Sequence, residues 1–148
     1  MNVTVRPVDA ADFFAWIELY AAYGEFYKTP LDDEKALLVW SWITDPGHET
    51  GALFAVDDSG TPMGLAHYRA FARPLSGSRG LYLDDLFVTP PARSQGVASA
   101  LLETLRSKAQ AEGFSVVRWI TAADNAVAQR LYDRLATKTD WVTYDLLP

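Results

Sequence analysis

Residues 88–102 read VTPPARSQGVASALL, a stretch in which an apolar strand ends, a Pro-Pro pair turns the chain and a helix begins. The first amides of a helix have no acceptor within the helix and lie at the positive end of its dipole, so they can bind an anion. Gly96 and Ala98 are small enough for a bulky phosphate to approach the backbone, and Arg93 adds a fixed positive charge. The loop therefore predicts a phosphate site, with ordinary packing of a small-residue helix start as the alternative.

The same stretch excludes two common phosphate-binding motifs. Its glycine is not followed by Gly-Lys-Ser/Thr, so it is not a P-loop, and it lacks the G-x-G-x-x-G pattern of dinucleotide-binding proteins. A strand–loop–helix anion site without either signature suits a pyrophosphate that is bound without catalytic magnesium.

Outward from this stretch, the sequence alternates between strand and helix patterns. Towards the C-terminus, Val97, Leu101 and Leu105 recur at helical spacing, and shorter strand and helix patterns follow. Towards the N-terminus, apolar runs separated by turn residues predict hairpin strands, which come after two helices and a first strand. The predicted elements are strand 2–6, helix 9–24, helix 29–45, strands 52–56, 63–72 and 80–88, helix 96–113, strand 114–121, helix 125–135 and strand 141–146.

This order, β-α-α-β-β-β-α-β-α-β, predicts an α/β fold of the mixed α+β kind. Antiparallel hairpins come first and a βαβ crossover comes later, so we expect a mixed sheet with helices on its faces. The length of 148 residues, without a linker-like stretch, predicts one domain over residues 1–148.

Composition narrows the chemistry. The chain has no cysteine, which excludes disulfides, thiolate metal sites and a covalent cysteine intermediate. Its two histidines, His48 and His67, argue against a histidine metal cage, so we expect no metal. A net charge of -6 argues against nucleic acid as a partner. No apolar run approaches the roughly 20 residues that span a bilayer, so we expect no membrane association and a soluble, cytoplasmic protein.

Two motifs resemble those of a known family. R-x-x-G-x-A at residues 93–98, after a strand that ends at residues 86–88, is similar to the acetyl-CoA signature of the GNAT superfamily of N-acetyltransferases. Asn125, Ala128, Leu131 and Tyr132 are similar to the N-x-x-A-x-x-L-Y block of the same families. The order of elements also resembles that fold, so the resemblance covers nearly the whole chain.

The resemblance implies a GNAT-like domain with a mostly antiparallel central sheet of about six to seven strands, and acetyl-CoA as co-substrate. In that family the strand before the signature splays from its neighbour, and pantetheine inserts there like an extra strand. The backbone of residues 94–98 would hold the pyrophosphate, and Asn125 would bind the pantetheine arm or a water. The cofactor-binding residues implied are Leu86, Phe87, Val88, Arg93, Ser94, Gln95, Gly96, Val97, Ala98 and Asn125.

Tyr132 is the candidate general acid. The resemblance implies that it lies near the thioester sulfur, and a phenol with an ordinary pKa near 10 stays protonated at neutral pH and can donate to a departing thiolate. The alternative is a core tyrosine on the same helix face as Ala128 and Leu135.

Asp84 and Asp85 are the other catalytic candidates, because they interrupt an apolar strand. Strand alternation predicts that their side chains point to opposite faces, so one faces the interior or a cleft. A carboxylate there could bind a substrate ammonium or accept its proton through water. The string YLDDLFV at residues 82–88 is also similar to the Y-L-E-D-F-F-V strand of diamine and polyamine acetyltransferases. The alternative is pairing with Arg69 or Arg79.

Aromatic residues cluster at the end of the first predicted helix. In the fold resembled, this region walls the acceptor pocket, and aromatic faces can hold an ammonium. We expect Tyr20 in the core and take Tyr23, Phe26 and Tyr27 as candidate substrate-binding residues.

The first hypothesis is therefore an N-acetyltransferase that moves an acetyl group from acetyl-CoA to a small primary amine, by direct attack in a ternary complex. The developing oxyanion would be stabilised by the amide of Val88. Two alternatives stay open: a CoA-binding regulatory module without turnover, and an acetyltransferase for protein N-termini or lysines. The acceptor is not identified, and the oligomeric state stays open, although homodimers are common in the superfamily resembled.

Overall fold

The computed structural model describes residues 2–148, which form five strands and four α-helices. Their order along the chain agrees with the predicted pattern except at its end. The elements are β1 Thr4–Pro7, α1 Phe13–Phe26, α2 Asp33–Ile43, β2 Thr50–Val56, β3 Pro62–Arg73, β4 Ser78–Val88, α3 Val97–Glu112, β5 Val117–Arg118 and α4 Ala126–Leu135.

The five strands form one sheet in the order β1-β2-β3-β4-β5. The first three pairs are antiparallel, and β5 pairs with β4 in parallel after a crossover through α3. This arrangement is the mixed sheet that the sequence predicts. One face packs on α3 around Leu101 and Leu105, and the other packs on α1 and α2 around Trp16 and Phe54.

The sheet has five strands, so the expectation of six to seven was too high. The predicted strand 114–121 is reduced to Val117–Arg118, because β5 pairs only with Leu81 and Tyr82 before it leaves β4. The predicted strand 141–146 does not form. Ala136, directly after α4, is extended at φ -145° and ψ 178°, so the chain leaves the helix without the left-handed turn that commonly redirects it.

Two further observations concern residues 2–148 as a whole. No helix in this range combines the length and the apolarity that crossing a membrane requires. The same residues contain no group of three or more His, Asp or Glu side chains placed to hold a metal ion.

Candidate active site

The N-terminus of α3 presents a row of open amides. Ser94 and Gly96 both have left-handed backbone conformations, with φ of 61° and 83°, which turn the chain sharply into the helix. Within residues 2–148, none of the amides of residues 94–99 donates to a protein acceptor. The side chain of Gln95 donates to the carbonyl of Pro91 at 2.9 Å and holds the loop. Six consecutive donors at the positive end of a 16-residue helix suit a phosphate or diphosphate.

Arg93 lies between this row of amides and the end of β4. Its Nε donates to the carbonyl of Val88 at 3.1 Å. Its guanidinium lies 5.2 Å from the ring centre of Phe26 and 5.9 Å from that of Phe87. The cation is therefore held close to the amides by stacking and by one backbone contact.

The end of β4 has an open edge on the side away from β3. β5 pairs with β4 only at Leu81 and Tyr82, whereas β3 pairs with β4 as far as Val88. The carbonyl of Val88 accepts from Arg93, while the amide of Thr89 donates to Met63 on the β3 side. Because backbone groups of alternate residues point to opposite edges, those of Val88 and Leu86 face the gap. An extended chain could therefore pair with β4 there.

Tyr132 lies on α4 and faces β5, and Asn125 is the residue that precedes this helix. Tyr132 packs on the α3-side core, with its ring 5.2 Å from that of Trp119 and almost perpendicular to it. Burial raises the pKa of the Tyr132 phenol, and Tyr27 adds to the rise. Asn125 begins α4: its side-chain oxygen accepts from the amide of Ala128 at 3.3 Å. This capping contact leaves the side-chain NH₂ of Asn125 for a ligand.

A β-bulge changes the directions of the two aspartates. His67 pairs with Asp85 and the next residue, Tyr68, pairs with Leu83, so Asp84 is an extra residue without a partner in β3. Asp84 accepts from Arg69, and Asp85 lies against His67. The expected alternation to opposite faces is wrong here, because Arg69 and His67 are two residues apart on β3 and point to the same face. Both carboxylates therefore face α1.

The two carboxylates have different partners. Asp84 forms an ion pair with Arg69 at 3.1 Å, which is the pairing that the sequence offered as an alternative. Partial burial raises the pKa of the Asp84 carboxyl, and the charge of Arg69 opposes that rise. Asp85 instead lies 2.8 Å from Nδ1 of His67, whose Nε2 accepts from the indole of Trp16 at 2.9 Å.

Aromatic side chains of α1 surround Asp85. The ring of Tyr20 lies 4.7 Å from that of His67, and Tyr23 lies edge-on to Phe87 at 6.1 Å. Burial raises the pKa of Tyr20 to about 12, with the charge of Asp85 as the second cause. The same two causes, in the same order, raise the pKa of Tyr23 further. Both phenols are therefore neutral at physiological pH.

The structure brings most of the predicted site residues together around the end of β4. Tyr23 reaches the Asp85 side, and Tyr27 lies between Tyr23 and Tyr132. Phe26 instead supports Arg93. Val97 is a buried core residue and Phe87 is almost fully buried, so neither side chain offers a ligand much surface.

Sequence reasoning missed the contact between His67 and Asp85, and it took His67 as a strand residue with a satisfied ring. The ring is satisfied, but one of its partners is a candidate catalytic carboxylate. A signal was present: a histidine in one strand of a predicted hairpin faces an Asp-Asp pair in the next. That signal can be used only when the pairing of β3 with β4 is known, and the bulge changes this pairing.

Comparisons with known proteins show the family to which this fold belongs. Residues 15–136 match the family described as acetyltransferase (GNAT) family. The chain is 34% identical over 144 residues to the D-amino-acid N-acetyltransferase HPA3 of Saccharomyces cerevisiae, covering 97% of this chain and 89% of that protein. It is 32% identical over 140 residues to the L-methionine sulfoximine/L-methionine sulfone acetyltransferase of Pseudomonas aeruginosa, covering 91% of this chain and 80% of that one.

Solved structures show the same fold. The crystal structure of a probable acetyltransferase superposes with a TM-score of 0.86 at 24% identity, covering 100% of this chain and 97% of that one. The aminoglycoside acetyltransferase AAC(6')-Iy, in complex with a CoA-containing bisubstrate analogue, superposes with a TM-score of 0.84 at 18% identity, covering 100% and 99%. The family match covers most of the sheet, the row of amides and α4. This chain therefore belongs to the acetyltransferase (GNAT) family.

Proposed function

We propose that this protein transfers the acetyl group of acetyl-CoA to the primary amine of a small molecule, by direct attack within one ternary complex. The observation that carries the proposal is the meeting of three features at the end of β4. These are the open amides of residues 94–99, the unpaired edge of β4 and the phenol of Tyr132. We also propose that residues 1–148 act as a single domain.

The residues present fit acetyl-CoA. Six amides and Arg93 match a diphosphate in charge and in donor number, and the backbone of Leu86 and Val88 matches an extended pantetheine arm. When bound, acetyl-CoA supplies an activated acetyl group on a thioester. Arg93 must release the carbonyl of Val88 if the arm is to pair there. The known structures of this fold that hold CoA support the same assignment.

The protein side chains supply the proton transfers. A substrate ammonium has no lone pair, so it must lose a proton before attack, and we assign Asp85 as the carboxylate that binds it and receives that proton, directly or through water. The amide of Val88 is assigned to the developing negative charge on the acyl oxygen. Tyr132, which stays protonated because burial raises its pKa, donates its proton to the departing thiolate.

The relatives favour amino acids among the small amines. The names of two of them specify D-amino acids and methionine sulfoximine or sulfone, which all carry an α-amino group. An anionic Asp85 among neutral aromatic rings suits such an amine in its ammonium form. We therefore place free amino acids ahead of polyamines and aminoglycosides as acceptors.

The test is an amine panel that follows CoA release from acetyl-CoA with a thiol reagent. Because the chain contains no cysteine, the reagent reports only the released CoA. The panel contains D- and L-amino acids, methionine sulfoximine, polyamines, an aminoglycoside and a lysine peptide. Amine-dependent release supports the proposal, while tight CoA binding without release for any amine indicates a binding module. Parallel double-reciprocal lines with both substrates varied would contradict direct transfer.

We further propose that the protein acts as a homodimer. Five large apolar side chains near the end of the chain are 74–98% exposed, namely Trp141, Val142, Tyr144, Leu146 and Leu147. The outer edge of β5 is also unpaired within residues 2–148. A groove of about 880 Å³ between β5, α4 and the start of this tail reaches Tyr132. One chain thus offers both an exposed apolar segment and an open edge, which two copies can exchange symmetrically.

Light scattering tests this dimer. We expect a mass of twice 16.4 kDa, and a shift to the monomer mass in the double variant Trp141→Asp/Leu146→Asp. Leu75→Asp is the matched control, because Leu75 is equally exposed but lies in the β3–β4 connection, so this variant should stay dimeric. A monomeric wild type would overturn the dimer and leave the proposed reaction standing.

A further inference from the structure

His67 and Trp16 form a buried pair behind Asp85. His67 is 2% exposed and Trp16 is fully buried, so neither ring can exchange its partners with water. The indole Nε1 of Trp16 donates to Nε2 of His67 at 2.9 Å. The other ring nitrogen of His67, Nδ1, lies 2.8 Å from the carboxylate of Asp85. The three side chains thus form one chain of contacts from α1 through β3 to β4.

The indole determines which nitrogen of His67 carries the proton. An indole N–H can only donate, so Nε2 of His67 must present a lone pair to it. The proton of the neutral ring is then on Nδ1, where it donates to Asp85. A doubly protonated ring would point an N–H at the N–H of Trp16, inside a site closed to water. Trp16 therefore holds the ring neutral, as the Nδ1–H tautomer.

A neutral donor orients Asp85 without cancelling its charge. Asp84, one residue away, is paired with the cation of Arg69, so most of its charge is offset. The side chain of Asp85 is still 24% exposed, and the phenol of Tyr23 lies close enough to donate a hydrogen bond to it. Of the two carboxylates on this face, Asp85 is thus the one that keeps a net negative charge next to the aromatic rings of α1.

From this we infer that His67 is a positioning residue that aims the charged carboxylate of Asp85 at the ammonium of the substrate, and that Trp16 sets the tautomer it needs. The inference rests on the proposed function, because it names the device that selects a cationic amine at that site. Removing the donor from His67 lets Asp85 turn towards its other neighbours, the phenol of Tyr23 and the cation of Arg69. The amine should then bind less well, whereas acetyl-CoA, bound at the start of α3, should not be affected.

Two variants of His67 separate positioning from packing. In His67→Asn the side-chain NH₂ takes the place of Nδ1 and can still donate to Asp85, whereas His67→Leu fills the space without a donor. For the fastest amine of the panel, we expect KM to rise at least about 10-fold in His67→Leu and less than about threefold in His67→Asn. The KM for acetyl-CoA should stay the same in both. Equal amine KM values in the two variants would overturn the inference.

Ring NMR tests the tautomer without any substrate. Only two histidines are present, so labelling histidine with nitrogen-15 gives two rings, and His67→Asn identifies the signals of His67. We expect His67 to show a protonated Nδ1 and an unprotonated Nε2 at neutral pH, and Trp16→Phe to mix the tautomers. A protonated Nε2 in the wild type would refute the inference. If no amine on the panel reacts, the proposed function fails, and this spectrum still decides the tautomer.

Discussion

Arg93 donates a hydrogen bond from its Nε to the carbonyl of Val88 at 3.1 Å, across the mouth of the gap between β4 and β5. The contact joins the arginine that precedes the open amides of α3 to a backbone group on the open edge of β4. A diphosphate at α3 would attract this guanidinium away from the carbonyl. Release of the carbonyl would then open the edge for the rest of the cofactor.

Arg93→Ala should weaken CoA binding by about 10-fold, because it removes a side-chain cation that directly precedes the amides of residues 94–99. The dependence of the CoA dissociation constant on salt should also become weaker. Arg79→Ala is the control, since Arg79 is an exposed arginine at the far end of β4. Calorimetric titration with CoA gives both values. An unchanged dissociation constant in Arg93→Ala would remove this residue from the cofactor site.

Gly96→Ala tests the turn that begins α3. Gly96 has φ of 83°, and a Cβ there would meet no other atom, so the change acts only by straining the backbone, by about 1–2 kcal/mol. We expect an amide row that is displaced or loosened and a clear loss of CoA affinity.

Gly60→Ala is the matched control for that variant. Gly60 has φ of 84° and equally open surroundings, but it lies in the β2–β3 turn. Both variants should lose similar amounts of thermal stability, while only Gly96→Ala loses affinity for CoA. Equal affinities would mean that the conformation of Gly96 serves folding alone.

Most of the fold could be predicted because its signals are local. The periods of the apolar residues identify α3 and the β3–β4 hairpin within a few residues of their observed ends. The final strand could not be predicted correctly, because residues 141–146 have strand-forming side chains but pair with no strand among residues 2–148. A strand depends on a ladder, which a local pattern does not report.

The geometry of the candidate site could be predicted where it follows from a contiguous motif. It could not be predicted where it depends on how two strands are paired. The open amides before α3 follow directly from the stretch around Gly96. The shared face of Asp84 and Asp85 depends on the bulge opposite His67, which changes the period of two along β4. Neither residue composition nor spacing reports such an insertion.

Asp85→Asn and Asp84→Asn should differ strongly. Asp85 carries the charge that we assign to the substrate ammonium, so Asp85→Asn should lower kcat/KM for the amine by about 10- to 100-fold. Asp84 is already paired with Arg69, and we expect less than about a threefold change in Asp84→Asn. Initial rates at saturating acetyl-CoA measure both values. A larger loss in Asp84→Asn would exchange the two roles.

Tyr132→Phe should lower kcat by about 100-fold or more, because a positioned general acid contributes at least that much. Binding of CoA should be unchanged, and Tyr82→Phe, which alters a tyrosine of β4 that contacts Arg69, should keep its kcat. The control shows whether any phenol near the sheet matters or only that of α4. If Tyr132→Phe kept the kcat of the wild type, the proton donor to the departing thiolate would be water and not Tyr132.

The pH profile of kcat provides a separate check on Tyr132. Burial raises its pKa above the ordinary value of 10, and the active form is the protonated one, so activity is lost only as pH rises through the raised pKa. We therefore expect no alkaline fall in kcat below about pH 10. An alkaline limb between about pH 7 and pH 9 that disappears in Tyr132→Phe would contradict this role.

The most direct measurement follows the acetyl group itself. Acetyl-CoA labelled with carbon-13 in its acetyl group is incubated with the protein and a mixture of D- and L-amino acids, and the products are separated by mass spectrometry. We predict the label in an N-acetylated small amine with the wild type and nearly none with Tyr132→Phe. Label that appears only in free acetate or on protein side chains would contradict the account.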